Sequence, residues 1–148
     1  MHLLYLDYNC FQRGFDDPRQ TRIQMEALAC QEIFIRAERD EVLLAWSFMH
    51  EDETLLCPFE ERKYEVLRLA TLCKVRIAPE QAIYTLAKSL HKEGRLSAKD
   101  AIHLASALYV QAGFFLTCDD ELIRQSRQSR LEISVVNPID YLLRETDR

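Results

Sequence analysis

Four carboxylates in this chain stand beside the apolar runs that would form buried strands. Asp7 follows the first run, Glu53 lies a few residues beyond the second, and Asp119 comes directly after a later one. Asp100 lies in the first turn of the helical segment that leads into that later run. Carboxylate oxygens without His or Cys partners favour hard cations such as Mg²⁺ and Mn²⁺. These residue types therefore predict a metal site if the fold brings them together.

Carboxylates that gather at one place need protons or a compensating charge. Two like charges about 4 Å apart repel by about 1 kcal/mol in water and by about 4 kcal/mol at an effective dielectric constant of about 20. Such a group therefore binds protons, with raised pKa values, or binds a cation. A metal ion held by carboxylates can activate water and bridge a phosphodiester, which supports in-line hydrolysis. Asp120, which directly follows Asp119, is a further candidate ligand.

Each acid also has a local interpretation. Asp7 could cap the turn that follows it, and Asp119 could be the N-cap of the next helix. Ser97 and Asp100 have the spacing of a capping box. Glu53 lies in a run of acids that could be solvated. The spacing alone leaves the metal site and these local roles both open.

Short apolar runs alternate with longer segments of helical periodicity along the chain. Five runs predict strands, in the segments Leu3–Asp7, Glu41–Phe48, Lys74–Ala78, Phe114–Thr117 and Glu132–Val136. The main helical patterns occupy Ile23–Ala37, Phe59–Cys73, Pro79–Gly94, Ser97–Gly113 and Pro138–Glu145. Pro79 is expected in the first turn of its helix and Gly94 past its end. This alternation predicts an α/β domain whose parallel sheet is covered by helices on both faces.

The acids fall at the carboxyl ends of these predicted strands. In open parallel sheets, ligands bind beyond the carboxyl ends, at the point where the strand order reverses. Asp100 reaches the same edge if its helix runs back from it, as a right-handed crossover requires. We therefore expect four carboxylates from distant parts of the sequence on one rim of the sheet.

The composition is that of a soluble globular protein. The chain of 148 residues suits one domain, residues 1–148, with a single core. No apolar run approaches the roughly 18 residues that span a bilayer, and no basic region with a cleavage site predicts a signal peptide. The net charge of −5 does not favour nucleic-acid binding, unless basic residues cluster beside a cation site.

The five cysteines indicate reduced thiols. They are Cys10, Cys30, Cys57, Cys73 and Cys118. Their number is odd and none forms a C-x-x-C pair, which argues against a disulfide scaffold or a zinc ribbon and for a cytoplasmic protein. The simplest interpretation of each is a small buried apolar residue.

Four segments in this order resemble the motifs of the PIN-domain family, which includes the VapC-type toxins of toxin–antitoxin systems. They are "LYLDYN", "WSFMHEDE", "SAKDAIHLASA" and "LTCDDEL", and the closing "VVNPIDYL" extends the resemblance over essentially the whole chain. The matched residues are Asp7 and Asn9, then Glu53 six residues after Ser47, then Asp100, then Thr117 and Asp119, with Asp120 as a possible second member. Tyr8 departs from the pattern, because the family usually has Thr or Ser at this position.

This resemblance implies a three-layer α/β/α PIN-like fold with a five-stranded parallel sheet in the order 3-2-1-4-5. The first strand then neighbours the fourth, which places Asp7 beside Asp119. Asp7, Asp100 and Asp119 are expected as direct or water-mediated metal ligands. Glu53 would ligate a metal or orient the attacking water, and Asp120 would support the site. Asn9 and Thr117 would be supporting residues, with Asn9 placing a ligand or a metal-bound water.

The activity implied by the resemblance is that of a Mg²⁺- or Mn²⁺-dependent endoribonuclease, the toxin of a type II toxin–antitoxin pair. The implied partners are an RNA substrate, a small antitoxin protein and a second copy of the chain. Phosphate-contacting residues are expected beside the metal, and the candidates are Arg13, Arg19, Arg22, Lys88, Lys92, Arg95 and Lys99. The alternative for these residues is a solvated helix face, since Gly94 interrupts the second group. His103 is expected to pack or to form hydrogen bonds rather than to ligate a metal.

Other interpretations differ in what the acids do. A catalytically silent PIN-like module would keep them for a cation, a nucleic acid or a protein partner. A phospho-receiver domain needs an Asp ending the third strand and a Lys ending the fifth, where this chain has "RIAPE" and "VVNP". A haloacid-dehalogenase-type phosphatase needs a second acid at the position of Asn9. The last two classes are therefore disfavoured, and the silent module stays open.

Overall fold

Five parallel strands form the sheet at the centre of the structure. The computed structural model describes residues 1–146. The strands are β1 Leu3–Leu6, β2 Leu43–Ser47, β3 Val75–Ile77, β4 Phe114–Leu116 and β5 Ser134–Val136. Their order is β3-β2-β1-β4-β5 and every pairing is parallel. The predicted fold class and strand order are confirmed.

Eight helices connect and cover the strands within the described residues. They are α1 Tyr8–Gln12, α2 Thr21–Glu38, α3 Phe48–Leu55, α4 Glu60–Ala70, α5 Gln81–Gly94, α6 Ala98–Tyr109, α7 Asp120–Gln128 and α8 Pro138–Thr146. A 3₁₀ turn, Arg13–Phe15, follows α1. The predicted domain 1–148 includes two residues, Asp147 and Arg148, that lie outside those described.

One helix start differs from the expectation. Pro79 was expected in the first turn of α5, but that helix begins at Gln81. Glu80 is the N-cap and has extended backbone angles, with φ −135° and ψ 143°. Pro79 therefore lies one residue before the N-cap rather than in the first turn of the helix.

Helices pack on both faces of the sheet, and the side chains of β1 show how the two layers divide. Leu4 and Leu6 point into a core made with α1, α2, α4 and α8. Tyr5 points to the other face, into a core made with α5, α6 and α7. Because both faces are covered, β1 is an almost continuous apolar run rather than an alternating one. None of the helices between residues 1 and 146 has the length and apolar character needed to cross a bilayer.

The register between β1 and β4 sets the position of the first acid. Leu6 is paired with Leu116, so the residues that follow, Asp7 and Thr117, leave the sheet side by side. The backbone amide of Asp7 donates to the carbonyl of Leu116 at 2.8 Å, and that of Thr117 donates to Val136 at 3.0 Å. These bonds extend the ladder one residue past the strands, to the point where the strand order reverses.

A buried carboxylate ties α2 to the segments around it. Glu26 is fully buried and accepts from Arg13 Nη2 at 2.9 Å and from the side-chain amide of Asn137 at 2.5 Å. Arg22, one turn earlier in α2, approaches the same carboxylate at 3.4 Å. Since a charge buried without partners is costly, these contacts fix the start of α2 against the turn that follows α1 and the residue that precedes α8.

Replacing Glu26 by Ala is expected to destabilise the fold by about 1–3 kcal/mol, because it leaves the buried amide of Asn137 without its acceptor and leaves Arg13 with Asp16 alone. The measurement is urea unfolding at neutral pH. The matched control is Glu32→Ala on the same helix, which removes an exposed ion pair with Arg36 and should cost less than about 1 kcal/mol. Equal losses in the two variants would contradict the anchoring role of Glu26.

Candidate functional site

The four predicted carboxylates line one open pocket at the carboxyl edge of the sheet. The pocket has a volume of about 590 Å³. Asp7 comes from the end of β1, Glu53 from α3, Asp100 from the first turn of α6 and Asp119 from the β4–α7 connection. Acids from four separate elements therefore share a single concave surface.

Asp7 is the most deeply buried of these acids, with 8% of its surface exposed. Its Oδ1 accepts from the backbone amide of Tyr8 at 2.8 Å, and its Oδ2 accepts from the Thr117 hydroxyl at 2.8 Å. Burial raises the pKa of Asp7 to about 6, and the negative charge of Asp100 adds to this, while His103 and Thr117 oppose it. Burial therefore favours the protonated form of this carboxyl group, and a cation bound beside it would favour the ionised form.

Asn9 and Thr117 connect the ends of β1 and β4. The amide nitrogen of Asn9 donates to Asp7 Oδ2 at 3.3 Å and to Thr117 Oγ1 at 3.2 Å, and its oxygen accepts from the backbone amide of Cys118 at 3.2 Å. Thr117 Oγ1 also accepts from the backbone amide of Asp119 at 3.1 Å. Both side chains therefore occupy supporting positions beside two of the acids.

Asp100 and Asp119 begin helices as well as lining the pocket. Ser97 caps α6 by accepting from the backbone amide of Asp100 at 3.1 Å. Burial raises the pKa of the Asp100 side chain, and the charges of Asp119 and Glu53 raise it further. Asp119 caps α7, since its Oδ1 accepts from the amides of residues 121 and 122. The local interpretations of these acids and their presence in the pocket are thus compatible.

Glu53 is oriented by a histidine from the neighbouring helix. His103 is almost fully buried, and its Nε2 lies 2.5 Å from Glu53 Oε1. The other ring nitrogen, Nδ1, lies 2.5 Å from the hydroxyl of Tyr5, which also contacts Ser47 Oγ at 2.7 Å. The prediction that His103 forms hydrogen bonds is consistent with this position.

His50 lies beside the same group of hydrogen bonds, and its own contacts fix which of its ring nitrogens carries the proton. Its Nδ1 accepts from the backbone amide of Ser47, so its Nε2 carries the proton and donates to the carbonyl of Leu6 at 2.7 Å. Burial lowers the pKa of His50 well below the usual value and keeps the ring neutral. An ionised carboxylate only accepts, so His103 Nε2–H is the donor to Glu53 Oε1.

Tyr8, the departure from the family pattern, faces α3. Its hydroxyl donates to Thr54 Oγ1 at 3.0 Å, and Thr54 in turn donates to the carbonyl of His50 at 2.8 Å. The ring is buried and also borders the pocket. Tyr8 therefore ties α1 to the helix that carries Glu53.

The four carboxylates line the same pocket, but their oxygen atoms do not converge closely enough to ligate one ion together. Within the described residues, no three acids have oxygens within 4.8 Å of one another; the set that meets this distance is Cys10, Cys30 and Cys118. The reason lies in the contacts already described, because Asp7 is directed to Thr117 and Glu53 to His103. Joint metal ligation would require these side chains to turn further into the pocket.

Asp120 lies apart from the four pocket acids. Its carboxylate is exposed and pairs with Arg22 through two bonds of 2.5 and 2.6 Å. This pair borders a different pocket, on the side of α7 that faces Asn137. The structure therefore does not bring Asp120 together with the other predicted ligands.

The predicted phosphate-contacting residues divide into two groups. Arg13, Arg19 and Arg22 are engaged by the carboxylates of Asp16, Asp17, Glu26 and Asp120. Lys88, Lys92, Arg95 and Lys99 are exposed, and Arg95 ends α5 with a left-handed φ of 59°. Among the pocket-lining residues Lys99 is the basic one, directly before Asp100. Lys99 is therefore placed best to meet an anion at this site.

Two solved structures resemble the chain over most of its length. One is the crystal structure of FitAcB from Neisseria gonorrhoeae, with a TM-score of 0.62, 16% identity, and coverage of 91% of this chain and 97% of the matched chain. The other is the crystal structure of VapBC2 from Rickettsia felis bound to a DNA fragment from their promoter, with a TM-score of 0.59, 12% identity, and coverage of 91% and 98%. These likenesses confirm the PIN-like fold.

At these identities the likeness concerns the fold. No protein-family profile matches the chain, and no curated protein matches it in sequence. The roles of the pocket residues therefore rest on the geometry of this chain.

Sequence reasoning missed the hydrogen-bonded group behind Glu53. Tyr5 looked like a core residue, and its hydroxyl was not connected with His103. The available signal was a polar tip in the middle of a buried strand, opposite a histidine one turn after Asp100. His50, three residues after Ser47, has the spacing of the capping box that the structure shows.

The raised pKa of Asp7 predicts how stability changes with pH. Between about pH 4 and pH 6 the unfolded chain releases this proton while the folded chain keeps it, so stability falls as the pH rises. The shift from 3.8 to about 6 corresponds to about 3 kcal/mol. Asp7→Asn should remove this loss, so the variant should gain stability relative to the wild type across this window.

Urea unfolding at a series of pH values measures that gain. The matched control is Asp120→Asn, because Arg22 lowers the pKa of the exposed Asp120 and the variant should show no such gain. A difference between Asp7→Asn and wild type that does not change with pH would contradict the assignment.

Proposed function

We propose that this protein is a metal-dependent endoribonuclease that hydrolyses RNA phosphodiester bonds, and that it is the toxin of a type II toxin–antitoxin pair. The observation that carries the proposal is the convergence of Asp7, Glu53, Asp100 and Asp119 on one open pocket at the reversal point of the sheet. The PIN-like fold and the motif resemblance support it. The reduced thiols inferred from the sequence accord with a cytoplasmic protein.

The donor atoms of the pocket suit Mg²⁺ or Mn²⁺. Asp7, Asp100 and Asp119 would hold the ion, and all their donors are hard carboxylate oxygens. The raised pKa values of Asp7 and Asp100 show that ionised carboxylates are disfavoured there without a compensating charge. A bound divalent ion would supply that charge, stabilise negative charge on the phosphodiester and promote ionisation of water.

Glu53 would orient or deprotonate the attacking water. His103 Nε2–H holds Glu53 Oε1, so the carboxylate is fixed and its second oxygen can accept a hydrogen bond from water. Tyr5 and Ser47 hold the far side of the imidazole ring. This chain of bonds keeps the acid in one orientation, which a general base requires.

Lys99 would contact a phosphate of the RNA at the rim of the pocket. Its side chain is exposed and it borders the same pocket as the acids. Since phosphate contacts position a nucleic acid without reading its sequence, Lys99 would act on affinity rather than on target choice.

The proposed protein partner would cover the apolar rim of this pocket. Leu56 and Phe59 border the pocket and are 83% and 58% exposed, and the neighbouring Leu55 is 64% exposed. Exposed apolar side chains in one patch mark a surface for protein contact. A small antitoxin seated there would block access to the acids. A homodimer remains part of the proposal on the strength of the resemblance.

A catalytically silent binding module is the second candidate. The observation that favours it is the separation of the acids, since among residues 1–146 no three of them have oxygens within 4.8 Å of one another. Such a module would bind a nucleic acid or a protein at the same rim without cleaving RNA.

Asp119→Asn is expected to reduce Mn²⁺-dependent cleavage of a mixed single-stranded RNA pool by about 100-fold or more, because a ligand to the ion contributes several kcal/mol. Asn is as good an N-cap as Asp, so α7 should keep its start. The matched control is Asp120→Asn, which removes the adjacent acid outside the pocket and should retain activity. The measurement is the initial rate of cleavage with Mn²⁺ or with EDTA.

Two outcomes of that comparison would change the proposal. Cleavage that persists in EDTA or in Asp119→Asn would show a contaminating nuclease or a metal-independent reaction. Absence of cleavage by the wild type, together with retained RNA binding, would favour the silent module.

His103→Gln is expected to lower the cleavage rate by about 10–100-fold, the usual cost of losing a residue that orients a catalytic group. The binding of Mn²⁺, followed as the rise in melting temperature, should change less than the rate, because Asp7, Asp100 and Asp119 remain. The control is His91→Gln on α5, whose ring contacts the carbonyl of Leu96 away from the pocket. An unchanged rate and pH profile would show that His103 only packs.

A further inference from the structure

Three cysteines meet beneath the ends of β1 and β4. Cys10 comes from α1, Cys30 from the middle of α2, and Cys118 from the residue between Thr117 and Asp119. Their sulfur atoms all lie within 4.8 Å of one another, and each residue is buried, with 2%, 3% and 7% exposure. Three thiols from three separate elements therefore point to one place.

We propose that Cys10, Cys30 and Cys118 form a binding site for a thiophilic d¹⁰ metal ion of the Zn²⁺ and Cd²⁺ class, separate from the carboxylate pocket. Thiolates select such ions over Mg²⁺ and Mn²⁺. A Zn–S bond is about 2.3 Å, so sulfur atoms around one tetrahedral ion stand about 3.8 Å apart. The three sulfur atoms need to approach one another by no more than about 1 Å, which side-chain rotation can supply.

A cleft between α1 and α2 gives access to this site. It has a volume of about 470 Å³, and Cys10 and Cys30 belong to its lining together with Phe11, Ile23 and Phe34. None of the four pocket carboxylates lines this cleft, so an ion that enters through it would not pass them. The cleft also has room for the fourth ligand, a water molecule or a small anion, that a site with three protein ligands takes.

The surrounding charges fit a site with three thiolates. Three thiolates and one divalent ion leave a net charge of −1, and the guanidinium of Arg13 interacts with Cys118. Glu26 is the nearby buried acid, but Arg13, Arg22 and Asn137 already bind its oxygens. The protein ligands are therefore the three sulfurs, with a neighbouring cation that reduces the residual charge.

Cys73 shows what a buried cysteine without this arrangement looks like. It is equally buried, at 2% exposure, and its thiol donates to the carbonyl of Leu69 at 3.8 Å at the end of α4. It belongs to the same hydrophobic core but not to the sulfur cluster. Burial alone therefore does not bring the three sulfurs together, and Cys73 supplies a matched control.

The test is a titration of the reduced, untagged chain with Cd²⁺, read as the ultraviolet absorption of cadmium–thiolate bonds. All variants carry Cys57→Ser, which removes the partly exposed thiol. We expect one Cd²⁺ per chain, competition by Zn²⁺ in excess, and a rise in melting temperature with either ion. Cys73→Ser should behave as the parent does, while Cys30→Ser should lose at least 10-fold in affinity and about a third or more of the absorption at saturation, since one of three thiolates is gone.

Cys118→Ser is the second variant, in case Cys30→Ser fails to fold, and it should show the same loss of affinity and absorption. Saturating Mg²⁺ should leave the cadmium signal unchanged, because the carboxylate pocket is a different site. No thiolate absorption in the parent chain, or the same absorption in Cys30→Ser and Cys73→Ser, would overturn the proposal and leave the three cysteines as packing residues.

Discussion

The hydrogen bond from the Thr117 hydroxyl to the buried carboxylate of Asp7 is the contact on which the candidate site depends. It joins the ends of β1 and β4, the two strands between which the order of the sheet reverses. The register of that pair, with Leu6 opposite Leu116, leaves one residue on each strand to form it. A slip by one residue would turn each side chain to the other face of the sheet, so the acid would face the core of the opposite layer. The strand pairing that stabilises the sheet therefore also determines where Asp7 lies.

Glu53 depends on a second set of contacts, which crosses from one strand to two helices. Tyr5 is the inward residue of β1 on the α6 face, and it holds both Ser47 at the end of β2 and His103 in α6. His50 bonds the carbonyl of Leu6, so α3 is also fastened to β1. Because buried hydrogen bonds of this kind are costly to leave unmade, the group behaves as one unit. The helix that carries Glu53 is thereby fixed relative to the strand that carries Asp7.

The sequence predicted the features that depend on a few neighbouring residues. Apolar runs such as Leu3–Leu6 and helix starts such as Ser97 were predicted because strand burial and capping act over a few residues. The strand order came from the motif resemblance, since periodicity does not rank alternative topologies. The directions of the carboxylates were not predictable from local sequence. Asp7 accepts from Thr117, 110 residues away, and Glu53 contacts His103, 50 residues away. The cysteine cluster escaped notice for the same reason, since Cys30 lies on a helix with no metal-binding spacing to mark it.

The acids and the thiols both lie beside the ends of β1 and β4. Asn9 shows how close they are, because its side chain bonds Asp7 while its oxygen accepts from the backbone amide of Cys118. Hard oxygen donors and soft sulfur donors discriminate between ions by chemistry rather than by distance, so two such sets can stand near each other without competing for one metal. They still share a backbone. An ion that draws Cys10 and Cys118 together would hold the residues directly after Asn9 and Thr117, the two side chains that support Asp7. Order in the sulfur cluster would therefore reach the pocket through the ends of β1 and β4. It would also act through Asn9, whose side-chain oxygen accepts from Cys10 Sγ at 3.5 Å while its amide donates to Asp7.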